Sequence, residues 1–324
     1  MTSSRRVTIL AILCMAASLI IALVTAARIH GPSIRPDEWG YLLNGQVLLG
    51  HEEVRLPFSE MYPAGFGLIT GAWAWISGSL QTAYRLTLFT NIALTVVLGY
   101  LVFTFTVNTL KASRIAGYLV AALVIASPGT LAGSLFALPE TLCKVIFMLL
   151  VVLIGSLVSR PHVTQIILFG ALAGLAPVFS GRLVAISISG AVLLLAFAWT
   201  GLVTRVIASL GMCSLVVGYA ITRIMNSVVR DVLYFGRPSG EGRIFNRATT
   251  VHLWPEVIRE IAGQVWYVSA ATACLGVVAL VVMFRFIIRK ARTEKTSPEQ
   301  SLERFVYMFV LLTFLLLIVL GALQ

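Results

Sequence analysis

Residues 5–28 read RRVTILAILCMAASLIIALVTAAR, and the uncharged run inside this segment, residues 7–27, decides how the chain folds. A helix needs about 20 consecutive apolar residues to cross the hydrocarbon core of a bilayer. The run therefore predicts a first membrane-spanning helix. It is longer than the apolar region of a typical secretory signal peptide, which has about 7–15 residues. We expect the helix to be retained, with cleavage as a signal peptide as the alternative.

The composition extends this interpretation to the whole chain. Of the 324 residues, 59% are hydrophobic and 11% are charged, and the mean hydropathy is +0.95. A soluble domain carries about 25% charged residues, so an ordinary soluble domain is excluded. The net charge of +11 comes without a basic, aromatic-interleaved soluble segment, which argues against a nucleic-acid partner. The four cysteines lie in apolar runs without the spacing of metal ligands.

Apolar runs recur along the chain and predict nine membrane spans. Their approximate bounds are 7–27, 85–107, 115–135, 141–158, 163–180, 183–200, 204–222, 265–288 and 305–322. Most connections are short, and two are long, at 28–84 and 223–264. The expected fold class is all-α, a polytopic membrane protein with about nine transmembrane helices. Residues 1–324 are expected to form one transmembrane domain, with no separate soluble domain.

The charges between the spans predict the orientation of the chain. On one side the basic residues crowd into short connections, where the positive-inside rule operates. Ten of the thirteen acidic residues fall on the other side. The N-terminus is therefore expected in the cytoplasm and both long loops outside. Residues 64–83 are expected to form a helix in the outer interface, because a further span there would move the basic cluster 285–295 outside.

A pair of carboxylates, Asp37-Glu38, follows the first helix within about ten residues. Carboxylates close to a bilayer are costly, and their presence favours a functional site. A solvated pair in an ordinary loop is the alternative.

A series of short motifs continues from this pair in a fixed order. They are Asp37-Glu38, Tyr41, Gly50, Tyr62-Pro63-Ala64-Gly65, Gly78, Arg85, Glu140 in ALPETL and Arg182 in ALAGLAPVFSGRL. In this order they resemble the GT-C superfamily of polyprenyl-phosphate-dependent glycosyltransferases, which includes protein O-mannosyltransferases and bacterial aminoarabinose transferases. The resemblance covers about residues 1–200 and departs at Ala64, where the family has a second proline. Residues 201–324 resemble no family segment, and no counterpart of the large soluble C-terminal domain of many members is recognisable.

The resemblance implies transfer of a sugar from a polyprenyl-phosphate donor to an acceptor hydroxyl on the extracytoplasmic face of the plasma (inner) membrane. It requires no cofactor. Such a reaction needs a base for the hydroxyl proton and cations for the leaving phosphate. By resemblance Asp37 is the base, and Glu38 is the competing catalytic candidate. The resemblance further suggests these substrate-binding residues: Glu60, Tyr62, Glu140, Arg182, Arg237 and Arg243.

The roles within this set differ. The glutamates can orient the base, bind sugar hydroxyls or hold a divalent ion. Arg182 is the expected phosphate ligand, since a guanidinium group pairs well with phosphate, and snorkelling to the interface is the alternative. Arg237 and Arg243 flank a turn-rich stretch of the 223–264 loop, which is expected either to cover the site or to be an ordinary solvated loop.

Two other classes of protein stay open from the sequence. One is a multi-span transporter or lipid flippase, which would place more polar residues near the midplane of its spans than this chain does. The other is a non-catalytic GT-C-like membrane subunit. The expected partners are the lipid-linked donor, an unidentified acceptor glycan, lipid or protein, and the bilayer itself.

Overall fold

A computed structural model gives the fold. It describes residues 3–32, 36–50, 62–159, 161–233, 254–271 and 298–323, and within these ranges the regular structure is helical throughout. The α-helices are α1 (Ser3–Arg28), α2 (Pro36–Leu48), α3 (Gly65–Ser77), α4 (Leu80–Thr104), α5 (Arg114–Ala126), α6 (Pro128–Ser134), α7 (Glu140–Ser159), α8 (Val163–Leu175), α9 (Val184–Trp199), α10 (Arg205–Leu233), α11 (Trp254–Ala271) and α12 (Pro298–Leu323). A π-helical turn, Phe105–Thr109, continues α4, and 3-10 turns follow α8 and precede α9.

The described part contains five helices that are long and apolar enough to cross a membrane, or six if a bent pair counts as one span. The five are Ser4–Arg28, Leu80–Thr109, Glu140–Leu157, Gly181–Trp199 and Arg205–Val232. This agrees with an all-α, multi-pass membrane protein. The expected number of nine spans is not confirmed. Two of the nine appear as shorter apolar helices, Val163–Val178 and Phe305–Leu317, and most of the expected span 265–288 lies outside the described residues.

The largest departure from the expected boundaries is at the second long loop. The span expected at 204–222 continues as one helix to Leu233, so the loop begins well after residue 223. The other end of the same loop is also helical, because α11 begins at Trp254. The apolar count missed these turns because polar residues such as Arg223 and Asn226 interrupt the hydrophobic run without breaking the helix.

The expected span 115–135 is broken in the structure. Helices α5 and α6 meet at an angle of 57°. Ser127 joins them in an extended conformation with ψ 135°, because the residue before a proline is disfavoured in the helical region. Pro128 then begins α6, where a proline is well tolerated. The sequence Ser127-Pro128 therefore supplies the physical reason for the bend.

The first long loop contains two helices, α2 and α3, and the second lies within the helix expected at 64–83. It ends at Gly78, which has the left-handed φ of 63° and donates its N–H to Ala74 O, a common helix ending. Ser79 then caps α4 by accepting a hydrogen bond from the backbone N–H of Thr82. The position of α3 in the outer membrane interface remains a prediction.

The described chain divides into two compact units. The first contains α1 to α6, most of α7, residues 178–180 and the last turns of α10 from Thr222. Its helices α2 and α3 pack backbone to backbone: a Cβ added at Gly45 would meet Gly67 O and Gly71 N at 2.7 Å. Glycine at these positions lets the two helices approach closely, and this contact fixes the helix that carries the acidic pair.

The second unit contains the end of α7, α8, α9, the first part of α10, α11 and α12. Its helices α8 and α10 are also in close contact, since Gly170 and Gly174 face the backbone of Gly211 and Leu215 with no room for a Cβ. Helices α9 and α12 pack through aromatic rings, with the centroids of Phe197 and Phe305 4.9 Å apart.

Candidate active site

The acidic pair lies in the first turn of α2. Successive residues of an α-helix point about 100° apart, so the two carboxylates face different surroundings. Glu38 is completely buried, whereas Asp37 is exposed. The expectation that sequence alone cannot separate the two residues is thus answered by the direction of each side chain.

Glu38 is fixed by two hydrogen bonds to one carboxylate oxygen. The Tyr84 hydroxyl donates to Oε1 at 2.7 Å, and the backbone N–H of Ala137 donates to the same atom at 2.8 Å. Tyr84 and Ala137 also belong to an apolar cluster with Ala22 of α1 and Leu42 of α2. Hydrogen bonds to an ionised acceptor are stronger than neutral ones. Glu38 therefore ties α2 to α4 and to the α6–α7 connection.

The α6–α7 connection is held from its other side by Asn91 of α4. The Nδ2 of Asn91, a fully buried residue, donates to Phe136 O at 2.8 Å and to Leu138 O at 3.1 Å. These carbonyls flank Ala137, whose N–H binds Glu38. The segment that receives the buried carboxylate is thus fixed before Glu38 reaches it.

Asp37 has a different partner. The hydroxyl of Tyr62 donates to its Oδ1 at 2.6 Å, and this is the hydrogen bond that the structure gives to the Asp37 side chain. The carboxylate is exposed, so it remains open to a further hydroxyl. An exposed carboxylate held in one direction by a neighbouring donor has the geometry required of a general base.

The ring of Tyr62 has a defined place on α2. It lies directly over Gly40, where an added Cβ would overlap the ring, with Cε2 only 2.5 Å away. It also packs on Tyr41, with ring centroids 5.3 Å apart. Gly40 is therefore the residue that admits the tyrosine ring, and Tyr41 supports its side.

The backbone that carries Tyr62 is held as well. Nδ2 of Asn44, on α2, donates to Tyr62 O at 2.8 Å and to Pro63 O at 3.1 Å. The next N–H, that of Ala64, donates to Oδ1 of Asn226 on α10 at 2.9 Å. Side-chain amides from two helices thus fix three consecutive residues.

An apolar cleft of about 210 Å³ lies beside α2. Trp39, Leu42 and Leu43 line it from the helix that carries Asp37. The opposite walls come from residues 30–32, after α1, and from Leu80 and Gln81 in the first turn of α4. Because its walls are nearly all apolar, the cleft suits a hydrocarbon chain.

A cation stands next to this cleft. Arg85 is one turn beyond Gln81 on α4 and contacts the ring of His30, which lines the cleft. Its Nε also donates to Ile29 O at 3.0 Å, which satisfies a carbonyl just past the end of α1. The Nη1 group makes no hydrogen bond with the described residues, so the guanidinium keeps donors for an anion.

The remaining expected site residues are not all comparable. Glu140 is exposed at the start of α7, directly after the connection that binds Glu38. Arg182 is exposed in a 3-10 turn of the second unit. Glu60, Arg237 and Arg243 lie outside the described residues. Tyr62, expected to bind substrate, is found bonded to the candidate base.

Within the ranges that the structure describes, no three His, Cys, Asp or Glu side chains come together as a metal site. Asp37, Glu38 and Glu140 therefore do not form a divalent-ion centre by themselves.

Several residues of this site were missed by the sequence interpretation. They are Asn44, Tyr84, Asn91 and Asn226, together with the backbone N–H of Ala137. A signal existed for the asparagines, because an amide within an apolar helix is costly unless it has partners. No such signal existed for Tyr84, which looks like an ordinary aromatic residue at the beginning of a span.

No protein-family model matches the sequence, and no curated protein or solved structure matches it.

Proposed function

We propose that this chain is a membrane glycosyltransferase that moves a sugar from a polyprenyl-phosphate donor to an acceptor hydroxyl. The site is proposed on the extracytoplasmic face of the plasma (inner) membrane, with the N-terminus in the cytoplasm. The motif order from Asp37 to Arg182 carries the class of reaction, and Asp37 is proposed as its base.

The observation that carries this proposal is the division of labour within the acidic pair. Glu38 is fully buried and spends Oε1 on Tyr84 and Ala137. Asp37 is exposed and held by Tyr62 alone. A structural pair would need no exposed partner, and two solvated loop carboxylates would need no buried network. One carboxylate that anchors and one that faces outward is the arrangement that a base requires.

The proposed step balances as follows. The acceptor oxygen forms a bond to the anomeric carbon of the donor sugar while the bond from that carbon to the phosphate oxygen breaks. The acceptor proton goes to the Asp37 carboxylate, and the polyprenyl phosphate leaves with the electron pair as an anion. A free hydroxyl is barely ionised near neutral pH, so a positioned base contributes about 10²–10⁴-fold.

The apolar cleft supports a lipid-linked donor. A single hydrocarbon chain fits walls made by Trp39, Leu42, Leu43 and Leu80, and Arg85 stands beside the same cleft as a phosphate partner. We propose that the donor's isoprenoid chain occupies this cleft. Arg182 is retained as a second proposed phosphate ligand, while Glu60, Glu140, Arg237 and Arg243 are proposed to bind the sugar or the phosphate.

The proposal is tested by supplying membranes that contain the full-length chain with labelled polyprenyl-phosphate sugars. Transfer of label to membrane glycans, lipids or proteins is measured against membranes that lack the chain. Transfer that depends on the chain supports the enzyme. Movement of intact labelled lipid between leaflets without cleavage of the sugar–phosphate bond would support the flippase instead. No transfer across the whole donor panel would favour the non-catalytic subunit.

A further inference from the structure

The last turns of α10 pack against the segment that carries Tyr62. Oδ1 of Asn226 accepts the N–H of Ala64 at 2.9 Å. One turn later, Val229 is completely buried against Leu43, Val47 and Ala64. This part of α10 belongs to the same compact unit as α2 and α3. It resembles no family segment in sequence, yet it touches the proposed site within two residues of Tyr62.

The contact matters because of what it fixes. Asn44 holds the carbonyls of Tyr62 and Pro63 from α2, and Asn226 holds the following N–H from α10. With the backbone clamped from both sides, the Tyr62 side chain leaves at one angle. Its ring then lies on Gly40 and its hydroxyl meets Asp37.

We infer that Asn226 is a positioning residue for Asp37, acting through the Ala64 backbone and the Tyr62 hydroxyl. This inference rests on the proposed function, because it concerns the base of that reaction. A reacting group misplaced by about 1 Å can lose about 10²-fold in rate. Loss of the Asn226 contact frees the segment before α3 and lets the Tyr62 hydroxyl leave Asp37.

Kinetics of four variants test the inference. Asn226→Leu removes the acceptor at similar size, and we expect turnover to fall about tenfold to 10²-fold with little change in the donor KM. Asn226→Asp keeps an oxygen acceptor and should recover most of that turnover. Ser227→Ala is the matched control, because the Ser227 hydroxyl bonds only within its own helix, to Ile224 O. Equal turnover in Asn226→Leu and wild type, or no recovery in Asn226→Asp, overturns the inference.

A double variant separates positioning from general damage to the fold. If Asn226 acts through Tyr62, the pair Asn226→Leu and Tyr62→Phe should be no slower than Tyr62→Phe alone, because both remove the same hydrogen bond. Multiplied losses in the double variant would mean that Asn226 acts by another route, and would overturn the inference.

A spectroscopic measurement does not depend on activity. The ¹⁹F signal of 3-fluorotyrosine incorporated at position 62 reports whether the phenol bonds to Asp37, with Asp37→Asn as the reference for a changed bond. We expect Asn226→Leu to move the signal towards the Asp37→Asn position and Asn226→Asp to restore it. An unmoved signal in Asn226→Leu overturns the inference. If the signal moves but the wild-type chain transfers no sugar, the positioning contact stands and the proposed function falls.

Discussion

The hydroxyl of Tyr62 donates a 2.6 Å hydrogen bond to Oδ1 of Asp37, which joins the turn before α3 to the first turn of α2. The bond orients an exposed carboxylate and leaves it accessible. It also explains why a tyrosine and an aspartate separated by 25 residues stand in one sequence pattern. Neither residue of this pair is needed to hold the buried core.

Removing this hydrogen bond gives the first prediction. Tyr62→Phe keeps the ring on Gly40 and deletes only the donor, so the chain should fold normally. A hydrogen bond to a charged group is worth about 1.5–3 kcal/mol, and turnover should fall by about 10- to 10²-fold. The measurement is the transfer rate at saturating donor. Tyr100→Phe serves as the control, because Tyr100 is 67% exposed and has no hydrogen-bond partner among the described residues. Equal rates in the two variants would show that the bond is incidental.

Glu38 is predicted to be a stability residue. Glu38→Ala leaves the Tyr84 hydroxyl and the Ala137 N–H buried without an acceptor, each at a cost of about 1–3 kcal/mol. We expect a clear fall in the thermal unfolding temperature of the protein in detergent. Glu38→Gln keeps Oε1 as an acceptor and should unfold at a higher temperature than Glu38→Ala. Asp37→Ala, at the exposed neighbour, should leave the unfolding temperature nearly unchanged. A larger loss in Asp37→Ala than in Glu38→Ala would reverse the assigned roles.

The cleft beside α2 is predicted to hold the donor's isoprenoid chain. Leu80→Trp narrows it, and since each buried methylene group is worth about 0.8 kcal/mol, displacing a few carbons should raise the KM for long-chain donors about tenfold or more. Donors with truncated chains should be affected less. Val96→Trp is the control, because Val96 lies on the exposed side of the same helix and does not line the cleft. An equal KM effect for long and short chains would remove the cleft from donor binding.

Arg182 is predicted to bind the donor phosphate. Arg182→Ala should weaken donor binding by about 10- to 10²-fold, the equivalent of a hydrogen bond to a charged group. Arg182→Lys should restore only part of the affinity, because a point charge replaces a two-pronged donor. Donor binding is measured directly with a labelled polyprenyl-phosphate sugar. Wild-type affinity in Arg182→Ala would mean that this exposed side chain only snorkels to the interface.

The general character of the fold follows from the sequence because it depends on hydrophobic length alone. The first helix, expected at 7–27, is found at Ser3–Arg28, and the helix expected at 141–158 at Glu140–Ser159. The extension of α10 to Leu233 was missed, since apolar counting ends a span at the first polar residues even where the helix continues. The bend before Pro128 was readable in principle, because proline restricts its neighbour.

The site was only partly predictable for a different reason. The pair Asp37-Glu38 could be found because charge near a membrane is conspicuous. Which of the two is buried depends on Tyr84 and Ala137, whose contacts with Glu38 span 46 and 99 residues. Such long-range partners leave no periodic trace in a single sequence. The same holds for Asn226, which meets Ala64 across 162 residues.

The central claim is that Asp37 takes the acceptor proton, and one comparison tests it most directly. Asp37→Asn keeps the size of the side chain but cannot accept the proton, whereas Asp231→Asn makes the same change at an exposed carboxylate paired with Arg230. The measurement is the rate of sugar transfer for each variant and for wild type, with donor binding checked in parallel. The account predicts a fall of about 10²–10⁴-fold in Asp37→Asn, unchanged donor binding, and a wild-type rate in Asp231→Asn. A near wild-type rate in Asp37→Asn would contradict the account.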